Sequence, residues 1–134
     1  MLSRNIFLIS LKLLGEALLT LEIDNSNYVS WVTITRKMLS DTDAKDEEIE
    51  GIVDIVTTLD KVEISILFRE TKDEKIKVSF RSKGSFNVNK FADKFKGGGH
   101  LNAAGCLCSG KLEEIKEKIL SELFSDIKCL RYKN

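Results

Sequence analysis

The stretch from Val62 to Ser82 constrains the fold most. Val62, Ile64, Ile66 and Phe68 alternate with other residues in a first run, and Ile76, Val78 and Phe80 do so in a second. Period-two alternation is the signature of a strand with one face turned to a core. The break from Glu70 to Glu74 suits a hairpin loop, so the two runs read as one β-hairpin. The same period places Arg69 of the first strand and Lys77, Ser79 and Arg81 of the second on the opposite, polar face. The β-branched and aromatic segment Tyr28 to Thr35 reads as a further strand, and residues 104–108 as a last one.

Helical patterns surround these strands. Residues 4–21 are apolar on nearly every side, which predicts a helix covered on more than one face. Residues 36–40 allow one helical turn. Thr42 or Asp43 is the expected cap of a helix carrying Ile49, Ile52, Val53 and Val56. Asn87 is the expected cap of a short helix through Val88, Phe91, Ala92 and Phe95. Residues 111–127 form an amphipathic pattern through Leu112, Ile115, Ile119, Leu123 and Ile127. The order helix, strand, helix, hairpin, helix, strand, helix predicts an α/β protein: a central mixed β-sheet with a β-hairpin, flanked by helices.

Composition then removes several classes of function. The chain has 134 residues with 43% hydrophobic and 31% charged side chains, as expected of one globular domain without a metal or disulfide staple. Lys plus Arg number 21 and Asp plus Glu number 21, which argues against a general polyanion binder. The balance hides an asymmetry: residues 38–60 hold eight acids and one base, whereas residues 61–100 hold ten bases and five acids. A single histidine, His100, excludes a metal centre that needs two imidazoles from one chain. Cys106, Cys108 and Cys129 read as reduced thiols of a cytoplasmic protein. The apolar run from Ile6 to Leu14 is too short for a membrane span, is interrupted by Lys12, and has no cleavage site after it, so no membrane partner is expected.

Gly97-Gly98-Gly99-His100 is the segment most able to carry chemistry. Consecutive glycines let a backbone approach a ligand closely, and their N–H groups can form an anion-binding nest. His100 can donate to a phosphate oxygen or exchange a proton near neutral pH. Arg69 or Arg81 can add a fork of donors. The plain alternative is a flexible loop followed by a solvated histidine, with the arginines on a solvated strand face. No Gly-Lys-Ser/Thr follows, so this is not a nucleotide-binding P-loop.

Lys77 to Cys106, KVSFRSKGSFNVNKFADKFKGGGHLNAAGC, resembles the signature of the DHHA1 domain, the C-terminal half of DHH-family phosphoesterases. EGIVD (Glu50–Asp54), VEISILFRE (Val62–Glu70) and SWVTIT resemble the oligoribonuclease and 3′-phosphoadenosine-5′-phosphate phosphatase subgroup. The resemblance implies a connector helix over 1–22, a DHHA1 substrate-binding domain over 23–128 and a tail over 129–134. It implies a mixed sheet flanked by helices that grips substrate across a cleft from a DHH domain. In such enzymes the DHH domain holds two divalent metals, usually manganese, which activate water. Carried onto this sequence, the substrate-binding residues are Gly97, Gly98, Gly99, His100, Arg81, Ser79, Ser82 and Arg69, with no catalytic residue and no metal ligand in this chain.

Two departures from the pattern stand out. Lys96 replaces the first of four glycines, and no Asp-His-His triplet is present. The chain alone is therefore expected to be inactive and to bind a short RNA or DNA oligonucleotide or a nucleotide. It is expected to work with a DHH domain, or to self-associate, through residues 4–21. Two alternatives belong to other classes: a free-standing tRNA-binding module, and a pure interaction module that docks on a separate DHH half.

Overall fold

A computed structural model describes residues 11–26, 28–40 and 42–133. Among the described residues six strands form a single sheet in the order β1-β2-β3-β4-β6-β5. They are β1 (Glu22–Asp24), β2 (Val29–Ile34), β3 (Ile64–Glu70), β4 (Lys75–Ser82), β5 (Gly98–His100) and β6 (Ala103–Ser109). The helices are α1 (11–18), α2 (Arg36–Ser40), α3 (Asp46–Thr57), α4 (Val88–Asp93) and α5 (Leu112–Lys133). Only β2 and β3 pair in parallel; every other neighbour is antiparallel, so the sheet is mixed. The expected α/β architecture, hairpin included, is present.

Each sheet face has its own core. Phe68, Val78 and Phe80 meet Phe91 of α4 and Ile119 and Leu123 of α5 on one side. There Phe80 and Phe91 stack edge to face with centroids 5.3 Å apart. On the other side Val32, Ile34 and Leu67 meet Leu13 and Ala17 of α1 and the α3 stripe of Ile49, Ile52, Val53 and Val56. Strand β3 is central, and its residues from Ile64 to Arg69 are all buried. That explains why Leu67, on its nominally polar face, is apolar.

Four details depart from the sequence reading. The helix expected over 4–21 is a helix over 11–18 followed by a turn, and residues 4–10 lie outside the described ones. Neither Thr42 nor Asp43 caps α3; Lys45 occupies the cap position without a side-chain hydrogen bond. The last helix runs on to Lys133. Two three-residue strands, β1 and β5, had no signal, because three residues are too few to show a period. Asn87 does cap α4, its side chain accepting from the Lys90 amide. No helix among the described residues is long and apolar enough to cross a membrane.

Candidate functional site

Helix α3 lies against β2, β3 and β4 and stops there. Among the described residues nothing covers the same sheet face over β6 and β5, where Gly98, His100 and Leu107 are exposed. The result is an open groove of ≈ 700 Å³, with Glu50 of α3 on one wall and Ala103, Gly105 and Gly98 as its floor. A volume of that order suits a small ligand. Alanine and glycine leave that floor nearly bare.

Strand register fixes what borders it. Arg81 pairs with Ala103, and Ala103 with His100, so these three form one row on the groove face. Ser79, Gly105 and Gly98 form the next row, and Lys77 with Leu107 the one after. Arg81 and His100 therefore stand two strand spacings apart, roughly 9.5 Å at the backbone, with only a methyl group between them. Among the described residues no hydrogen bond or ion pair engages the exposed His100 side chain.

Arg81 is held rather than free. Its Nε donates to Asp54 at 2.7 Å, its Nη1 donates to the Phe80 carbonyl at 3.0 Å, and its Nη2 lies 3.5 Å from Glu50. A guanidinium has five N–H donors, so about two remain for a ligand. Ser79 donates its hydroxyl to Glu50. Asp46, Glu50 and Asp54 recur every four residues, one stripe of α3 laid along the basic face of the hairpin. The acidic and basic segments of the sequence thus neutralise each other across this contact.

The glycines do different work from a nest. Residues 98–100 are an edge strand rather than a loop. The Gly97 amide donates to the Ala92 carbonyl and the Gly99 amide to the Asn89 side chain, both at 2.9 Å, so neither is left for an anion. A Cβ on Gly97 would fall 2.1 Å from the Gly105 carbonyl oxygen, and one on Gly99 2.5 Å from that of Ala103. A Cβ on Gly98 would meet only the Asn89 side chain, at 3.4 Å. The first and third glycines permit close strand approach, while the second forms floor. Lys96, which stands where a fourth glycine is expected, has φ +62°, a left-handed conformation that glycine adopts far more readily.

Gly97, Gly98, Gly99, Ser79 and Arg81 line the groove, and His100 lies on the same face at its end. Ser82 and Arg69 lie elsewhere. Ser82 points to the opposite face, where it donates to the Phe86 carbonyl and accepts from Asn102, tying β4 to the loops beside it. Arg69 is 8% exposed, and its Nη1 donates to Asp46 at 2.8 Å in a separate polar cavity of ≈ 510 Å³. Its hydrogen bond and charge hold the Asp46 carboxyl below the ordinary value. Lys77 and Glu50 line the groove without having been singled out as site residues. The signal for Glu50 was the four-residue acidic spacing facing a basic strand.

The sequence profile of the DHHA1 domain matches residues 27–128. The chain belongs to the DHHA1 domain family. The bifunctional oligoribonuclease and PAP phosphatase NrnA of Thermus thermophilus is 26% identical over 117 residues, 87% of this chain and 34% of the relative. The chain thus spans about a third of the length of that curated relative. An exopolyphosphatase-related protein from Bacteroides fragilis superposes with a TM-score of 0.78 at 31% identity, over 90% of this chain and 36% of that one. Two more distant structures share the fold. The pGpG-specific phosphodiesterase PggH of Vibrio cholerae has a TM-score of 0.57 at 14% identity, over 95% of this chain and 40% of its own. The C-Ala domain of Aquifex aeolicus alanyl-tRNA synthetase has 0.53 at 15%, over 74% and 88%. The DHHA1 family is thus the one that the motifs around Arg81 and His100 resemble.

Among the described residues no three His, Cys, Asp or Glu side chains gather as a metal site. The dimetal site implied by the resemblance finds no ligand set among the described residues.

Proposed function

We propose that this domain is the substrate-gripping half of a DHH-family phosphoesterase. It holds the phosphates of a short oligonucleotide or a phosphonucleotide for hydrolysis by a DHH domain, which would supply the manganese. The observation that carries this reading is the Arg81–Ala103–His100 row: two side chains able to donate to phosphate flank a floor of alanine and glycine, on a stretch of sheet face that no described residue covers. The free guanidinium donors of Arg81 and the imidazole of His100 would take phosphate oxygens, and Lys77 would add charge from the far end of the groove. Gly97, Gly98 and Gly99 would contribute by letting the ligand lie against the backbone. Ser82 and Arg69 would act only by holding β4 and α3 in place. Leu11, Leu18 and Leu19, exposed on and just after α1, support a face that docks the DHH half.

Calorimetric titration with a 5′-phosphorylated RNA dinucleotide and with 3′-phosphoadenosine-5′-phosphate tests the reading. Arg81→Ala and His100→Ala should each weaken binding by about tenfold, the loss of one charge-assisted hydrogen bond. Parent-like affinity in both variants would remove these residues from the site. Manganese-dependent release of mononucleotides by this chain alone would show that it is more than a gripping half.

A further inference from the structure

Glu50 is an anomaly in a groove meant for phosphate. Its carboxylate lines the groove together with Arg81 and Lys77, and its side chain is 26% exposed. An acid there repels the ligand's own charge, and Asp54 at 2.7 Å is already the nearer countercharge of Arg81, so what Glu50 adds to the groove is its free acceptor positions.

Its hydrogen bonds narrow what that is. An ionised carboxylate offers about four acceptor positions and no donor. Ser79 Oγ donates to it at 2.7–2.9 Å, and the Nη2 of Arg81 stands off at 3.5 Å. The only proton of the Ser79 hydroxyl is consumed by this bond. Glu50 and Ser79 together therefore present acceptors alone to the groove, and a complementary ligand must bring a donor there.

Position says which donor. Ser79 lies midway along β4 between Arg81 and Lys77, about 6.7 Å from each at the backbone, and all three face the groove. The long side chains of Arg81 and Lys77 can close on successive phosphates of one strand. What joins successive phosphates is a sugar, and the sugar then lies against Ser79 and Glu50. A carboxylate accepts from the ribose hydroxyl in dinucleotide-binding folds, and the 2′-hydroxyl is what separates RNA from DNA at a contact of this kind.

We propose that Glu50, with Ser79 bonded to it, reads a ribose hydroxyl and makes the groove prefer ribonucleotides to deoxyribonucleotides. The inference rests on the phosphate-gripping reading above and adds the residue that decides the sugar.

The test compares Kd values of the 134-residue protein for 5′-phosphorylated ApA, its deoxy counterpart and 5′-phosphorylated GpG. The parent should favour the ribo over the deoxy dinucleotide by about tenfold or more, and Glu50→Gln, close in shape, should bring the two within about threefold. Glu50→Ala, checked for folding by its melting curve, should do the same. Equal weakening of both sugars with the ratio kept would make Glu50 merely a support for Arg81 and would overturn the inference. So would a parent that binds both sugars alike, which would leave the gripping reading intact. A Glu50 variant that loses discrimination between GpG and ApA while keeping its sugar preference would show a base reader instead. Failure of the parent to bind any of the three would overturn both readings.

Discussion

Substituting the three glycines one at a time by alanine separates a packing role from a flexible loop. At Gly97 the new methyl would sit 2.1 Å from the Gly105 carbonyl oxygen and 2.6 Å from the Cys106 Cβ, inside a strand that cannot yield as a side chain tip can. Relief requires β5 to move off β6, and it endangers the hydrogen bond from the Gly97 amide to Ala92. Overpacking costs about 1–3 kcal/mol and the lost hydrogen bond about 1 kcal/mol, so Gly97→Ala should destabilise by about 3 kcal/mol. Gly99→Ala should cost a similar amount, because φ is +153° and its methyl would lie 2.5 Å from the Ala103 carbonyl oxygen. Gly98→Ala meets only a side-chain oxygen at 3.4 Å. Its effect should stay within about 0.5 kcal/mol, with the reduced entropy of the unfolded chain as a small gain. For a chain of this size 3 kcal/mol lowers Tm by roughly 10 °C. Urea unfolding followed by the fluorescence of Trp31, which packs against Phe124 of α5, measures all three. Three equally mild substitutions would refute the reasoning, since that is how a mobile loop behaves.

Other consequences follow from single contacts. Lys96→Gly should stabilise by about 1 kcal/mol by relieving the left-handed backbone, read as a higher urea midpoint at unchanged slope. Asp46→Asn removes the countercharge of buried Arg69 and should cost about 1 kcal/mol, a small figure because Asp46 itself is exposed. The Asp46 carboxyl is held below its ordinary 3.8 by the Arg69 hydrogen bond and charge. Its contribution is therefore complete above that value and lost as pH falls through the lower folded one, so acid unfolding of the parent should show a step that Asp46→Asn lacks. Cys129 is exposed, whereas burial, and secondarily the neighbouring Cys108, push the Cys106 thiol up. Thiol labelling at pH 8 should modify Cys129 first and Cys106 only on unfolding; prompt labelling of Cys106 would contradict its burial.

The hairpin and three of the helices were legible because their periods are long and their apolar positions many. Val78 and Phe80, or Ile115, Ile119 and Leu123, announce a buried face without any knowledge of what covers it. Asn87 declared itself as a cap because the capping bond spans only three residues. Strand β5 could not be read this way, because three glycine-rich residues carry no pattern and become a strand only by pairing with β6. The same is true of the fate of the arginines. Both lie on the polar face that alternation assigns, yet the acids that face them come from α3, twenty or more residues away in the chain.

By itself the sequence determined the element types, the faces they bury and the motif that marks the family, since these depend on local periodicity and on residue identity. Tertiary structure alone decided that Arg69 bonds to Asp46, that Ser82 bonds to Phe86 and Asn102, and that Arg81 bonds to Asp54 and the Phe80 carbonyl. It also spent the Gly97 and Gly99 amides within the fold and set a carboxylate, Glu50, in the wall of the groove. The reason is that hydrogen-bond capacity is finite: what a side chain or amide can offer a ligand is what remains after its own fold has been satisfied, and those partners are chosen by packing rather than by proximity in sequence.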